Sequence, residues 1–132
     1  MKILPSIYIL LIFLLIFSAN TNTFPTWLSW YREIPYGDKV GHFFLFGIFS
    51  LCLNHVLSFR QISIFSKKLF VGSVLTFAFI TIEEFSQIFF NSRTFSLADL
   101  LANYFGILLL GECTTRLITA RTNKSFQRNC SG

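Results

Sequence analysis

The stretch EEFSQIFFNSRTFSLADLLANYFG, residues 83 to 106, places two glutamates, a glutamine, an arginine, an aspartate and an asparagine between apolar runs. On a helix, residues three, four or seven apart share a face. Glu84 and Gln87 are i and i+3, Asp99, Asn103 and Gly106 are i, i+4 and i+7, and upstream Asp38 and His42 are i and i+4 beside Lys39. A carboxylate or an imidazole can move protons as general acid or base. The fork of Arg93 suits a carboxylate or phosphate, or a developing negative charge. Gln87 and Asn103 can orient a bound group. Catalytic candidates are therefore His42, Glu84, Arg93 and Asp99, and the ligand-binding set is Asp38, Lys39, His42, Glu84, Gln87, Arg93, Asp99 and Asn103. No serine or cysteine nucleophile stands out, so a hydrolytic route would need an activated water. One histidine in this set, without HExxH-like spacing, predicts no metal site, and no cofactor is expected.

Formal charge in this set does not balance. Asp38, Glu83, Glu84 and Asp99 oppose Lys39 and Arg93, leaving two negatives uncompensated with His42 neutral. A proton, a charged His42 or a bound cation would absorb them. Adjacent helical residues point about 100° apart, so only one of Glu83 and Glu84 is expected to face the cluster squarely, with Arg93 as partner of Glu84 and Asp99. The competing role is structural: interhelical polar contacts in membranes contribute about 0.6 kcal/mol each, and Gln87, Asn103 and Gly106 serve equally well as packing groups.

These residues must be positioned by very apolar elements. The chain has 132 residues, 53% hydrophobic and 13% charged, with 18 Phe. A domain of this size buries only about 60 to 70% of its unfolded surface, so a bilayer is the expected solvent. A span needs roughly 17 to 25 mostly apolar residues, which predicts an all-α membrane protein with helices over 3–19, 40–57, 69–90 and 97–118, one domain over 1–132. Lys2, the apolar run and then Ser18, Ala19 and Asn20 also resemble a secretory signal. With no clean A-x-A break, an uncleaved first helix is the preferred reading.

Basic residues in short loops mark the cytoplasmic side. An inside N-terminus puts Lys2, Arg60, Lys67, Lys68, Arg116, Arg121, Lys124 and Arg128 inside, against Arg32, Lys39 and Arg93 outside. Both ends are therefore expected in the cytoplasm, with 119–132 a disordered basic tail. Every unexpected polar side chain then falls at one face, while Asn54 and His55 are expected to meet headgroups or water. Pro25 and Pro35, with Trp27, Trp30, Tyr31 and Tyr36, predict a short outer interfacial segment. Membrane lipids are the expected surroundings. The formal net charge of +5 is accounted for by cytoplasmic flanks, and no nucleic-acid module is visible. Cys52, Cys113 and Cys130 show no metal spacing and no placement for an outer disulfide.

The pattern E-x2-Q-x5-R-x5-D-x3-N-x2-G over Glu84, Gln87, Arg93, Asp99, Asn103 and Gly106, with D-K-x2-H at Asp38, Lys39 and His42, resembles the VanZ-like family. The likeness runs from Asp38 to Gly111. Members often carry Pro-Gly before the arginine, where this chain has Asn91 and Ser92, both acceptable in a turn. The resemblance implies a small multi-pass protein of the bacterial cell membrane, associated with resistance to the glycopeptide teicoplanin. It names a process and no reaction. The expected function is binding of an anionic lipid headgroup or a cell-wall precursor at the outer polar site, with a membrane-embedded enzyme or a purely structural bundle as alternatives.

Overall fold

The computed structural model describes residues 3–20, 35–89 and 95–130. The chain runs α1 (Ile3–Asn20), α2 (Gly37–Val56), a hairpin of β1 (Gln61–Ile64) and β2 (Lys67–Phe70), and α3 (Val71–Ser86), whose end tightens into a 3-10 turn, Gln87–Phe89. α4 (Leu97–Gly106), a π-helical stretch (Ile107–Cys113) and α5 (Thr114–Cys130) then follow. The last three form one rod, since Ile107 and Thr114 at the junctions keep right-handed helical angles. Among the described residues, three helical segments are long and apolar enough to cross a membrane: Lys39–Val56, Val71–Phe89 and Leu97–Asn129. α1 adds a shorter apolar run, Ile3–Leu15.

Two expectations change here. The fold is predominantly helical, but not entirely, because the loop after α2 pairs into a two-stranded antiparallel hairpin. The stretch from Thr119, expected as a disordered tail, is helical as far as Cys130. It continues a helix already nucleated upstream, and adding a residue to an existing helix is far easier than starting one. Most of the predicted interfacial segment, residues 21–34, lies outside the described residues, as do Arg93 and the side chain of Asp38.

The apolar core is small. Ile12, Phe46, Phe49, Ile80 and Leu100 are buried together, with Tyr8, Leu45, Phe79 and Tyr104 packed against them. Many large apolar side chains point outward, among them Phe44, Leu75, Ile82 and Leu109. An apolar exterior of this extent suits a hydrocarbon surrounding better than water.

α2 packs most closely on the last rod, and glycines permit it. A Cβ on Gly47 would stand 2.8 Å from the carbonyl oxygen of Gly106, and one on Gly106 would collide with the backbone of Phe43. Small residues allow such backbone approach in membrane bundles. α2 then ends in a Schellman arrangement, in which Ser58 N–H donates to His55 O and Phe59 N–H to Asn54 O. Ser58 and Phe59 both have φ of 56° to achieve it.

Candidate functional site

Two polar clusters are buried, one at each end of the bundle. At the end away from the hairpin, α3 brings Glu83, Glu84 and Gln87, and α4 brings Asp99 and Asn103. Gln87 Nε2 donates to both oxygens of Glu83 at 3.2 Å and to Glu84 Oε2 at 3.3 Å. Both glutamates are therefore inside the cluster, where one was expected. The glutamine amide reaches across the angle between them.

Glu84 has a second task. Its Oε1 accepts the backbone N–H of Ser96 at 3.2 Å, and Ser96 is the N-cap of α4, its Oγ accepting Asp99 N–H at 3.4 Å. In an ordinary capping box the residue three positions into the helix would bond the N-cap N–H. Here a carboxylate from another helix does so, and negative charge at a helix start is favourable. Asp99 is thereby free to face α2, where Lys39 Nζ lies 3.4 Å from Oδ1. The contact is an ion pair rather than an aligned hydrogen bond, since Asp99 Oδ1 has no hydrogen-bond partner among the described residues.

Arg93 was the expected partner for Glu84 and Asp99. It lies outside the described residues; among the described ones, Gln87, Ser96 N–H and Lys39 contact those carboxylates. His42 stacks on Phe46 with ring centroids 5.9 Å apart.

Asn103 stands apart from the rest. It is fully buried, one helical turn beyond Asp99, and neither amide atom has a hydrogen-bond partner among the described residues. A buried amide in this state costs about 1 to 3 kcal/mol, and such a group calls for an explanation in a water molecule, a ligand or strain.

The second cluster, at the hairpin end, contradicts the expectation that all buried polarity lies at one face. Asn54 was expected at headgroups or water and is buried to 1% exposure. Its Nδ2 donates to Ser73 Oγ at 2.9 Å and Thr115 Oγ1 at 3.1 Å, and its Oδ1 accepts Ser73 N–H at 2.9 Å. Ser50 Oγ donates to Ser73 Oγ at 3.1 Å. Glu112 accepts Phe70 N–H at 3.2 Å and pairs with Arg116 at 2.6 Å, while Arg116 also donates to Lys68 O. α3 has no side-chain cap of its own. Its first donors go instead to Arg60 O, from Val71 N–H, and to Asn54, from Ser73 N–H.

Sequence reasoning missed Glu112 and undervalued Asn54. A usable signal was present: Asn54, Ser50 and Gly47 recur on one face of α2, and Glu112 stands four residues before Arg116. This second cluster is satisfied throughout, so it reads as a lock between helices. The first retains an amide unpartnered among the described residues and is the candidate ligand site. Among the described residues no cluster of His, Cys, Asp and Glu has the arrangement of a metal site.

Comparison with family models, with curated proteins and with solved structures gave no match.

Proposed function

We propose that the chain is a multi-pass membrane protein of the bacterial cell envelope with four spans, α1 being the first, and both termini in the cytoplasm. Its polar end faces outward. There it binds an anionic lipid headgroup or a lipid-linked cell-wall precursor and lowers susceptibility to a glycopeptide such as teicoplanin, as the VanZ-like resemblance implies.

One observation carries the binding reading: the fully buried amide of Asn103, which has no hydrogen-bond partner among the described residues, beside the Lys39–Asp99 pair. An amide offers donors and an acceptor together, as peptide and sugar groups of a wall precursor require, and Lys39 and Arg93 would meet its anionic part. Glu84 is engaged by Gln87 and by the Ser96 amide. Those bonds tie its carboxylate to the junction of two helices, a positioning role, and favour binding over catalysis.

The test is mass spectrometry of lipids and precursors that co-purify with detergent-extracted protein, compared with Asn103→Leu. Loss of one anionic species from a variant that remains folded supports the reading. Identical profiles refute it. Arg93→Lys should abolish glycopeptide protection while folded protein is retained, because lysine lacks the planar fork.

A further inference from the structure

The hairpin between α2 and α3 is an unusual object. A two-stranded hairpin is marginal by itself in water, yet this one is tied firmly at its base. Val71 N–H donates to Arg60 O at 2.9 Å, Phe70 N–H to Glu112, and Arg116 to Lys68 O. Phe70 is buried, with the Arg116 guanidinium 5.9 Å over its ring.

The tip is built against local preference. Ile64 pairs with Lys67, leaving Phe65 and Ser66 as a two-residue turn with φ of 47° and 64°. Turns of this type favour Asn-Gly, because both residues take left-handed angles, and an aromatic residue there is strained. Phe65 is nonetheless 97% exposed.

The strands are two-faced. In this register Ile62, Ile64 and Leu69 share one face with Lys67, while Lys68 lies on the opposite face with the buried Phe70. Ile62 is exposed, and Ile64 and Leu69 are half-buried. Around this apolar face and tip stand Arg60, Lys67 and Lys68, with Arg116 alongside. No acidic residue occurs between Arg60 and Phe70.

We propose that this hairpin is an interfacial finger: Phe65 and the Ile62–Ile64–Leu69 face enter the headgroup and upper acyl layer of a leaflet rich in anionic lipid, and Arg60, Lys67 and Lys68 pair with its phosphates. The proposal rests on the membrane reading above. Connectivity supports the bilayer as occupant, since the finger joins the ends of two helices of membrane length, Lys39–Val56 and Val71–Phe89. Charge complementarity supports the anionic lipid, because basic residues near such a surface are attracted to it, while apolar groups flanked by lysine bury their stems and keep the charge at the interface.

The test uses the full chain with Trp27 and Trp30 changed to Phe and one new tryptophan, either Phe65→Trp or Phe77→Trp, in vesicles of phosphatidylcholine with or without phosphatidylglycerol. Phe77 is an outward-facing residue of α3 and reports on the membrane reading alone. Quenching is measured with lipids brominated near the headgroup, with lipids brominated near the chain end, and with aqueous iodide. The expected result is that Phe65→Trp is quenched most by the shallow bromines and loses most of its iodide quenching relative to detergent-free unfolded chain. Phosphatidylglycerol should increase the shallow quenching, and Lys67→Gln with Lys68→Gln should remove that increase. Full iodide quenching of Phe65→Trp without a bromine effect would put the tip in water, the position a soluble partner requires, and would overturn the proposal provided Phe77→Trp is quenched by deep bromines. Failure of Phe77→Trp as well would overturn the membrane reading itself.

Discussion

Replacing Asn54 by leucine, which has a similar size, should destabilise the protein without opening a cavity. The amide nitrogen carries two protons, used on Ser73 Oγ and Thr115 Oγ1 at 2.9 and 3.1 Å; the 3.5 Å approach to Gly111 O shares one of them. Two such bonds at about 0.6 kcal/mol each amount to about 1.2 kcal/mol. The larger part comes from the oxygen, which accepts Ser73 N–H at 2.9 Å in the first turn of a helix lacking its own cap. Stranding a buried donor costs about 1 to 3 kcal/mol, so the total is about 2 to 4 kcal/mol. Space is tight here, since a Cβ on Gly72 would collide with Asn54, which leaves little room for a water to replace the lost acceptor. The assay is equilibrium unfolding in mixed micelles, with helical circular dichroism as the readout. A loss below about 0.5 kcal/mol would refute the claim that Asn54 caps α3 from outside, because it would fall under even one stranded buried donor.

Other outcomes follow from the same geometry. Gly106→Ala puts a methyl group onto the Phe43 backbone, so α2 and the last rod must separate. The loss should reach the upper part of the 1 to 3 kcal/mol range typical of overpacking, about 3 kcal/mol, measured by the same unfolding titration. Arg116→Gln should cost more than Glu112→Gln, because the Glu112 side chain is 7% exposed and would keep a buried charge, whereas Arg116 at 48% can turn to solvent. Equal losses in the two variants would contradict that ordering. In a background without Cys52, Cys113 and Cys130, a cysteine at Ser92 should react with an impermeant thiol reagent on intact cells and one at Ser66 should not. Labelling at Ser66 alone would invert the proposed orientation.

Helix positions were largely legible because hydrophobic run length is a one-dimensional quantity. The stretches 40–57, 69–90 and 97–118 correspond to helical segments of membrane length. The packing role of Gly106 was legible too, since only glycine leaves room for a backbone at a helix crossing. The hairpin was not legible: Gln61–Ile64 and Lys67–Phe70 are too short to show a clear period, and the Phe65–Ser66 turn lacks the residues that announce one. The helical continuation past Thr119 escaped composition, which registers its polarity and overlooks the helix already formed before it.

The same division holds for the polar residues. Sequence alone determined which of them share a helical face, because the 3.6-residue repeat acts within one element: Glu84 with Gln87, Asp99 with Asn103. Which groups meet across elements was decided by tertiary structure. Glu84 caps α4 and Asn54 caps α3, since each helix start leaves N–H donors that its own sequence does not satisfy, and at the start of α3 burial keeps water from doing so. Asn103 lies on the same face as Asp99 by periodicity, but only the packing of α4 on α2 leaves its amide enclosed and without a hydrogen-bond partner among the described residues.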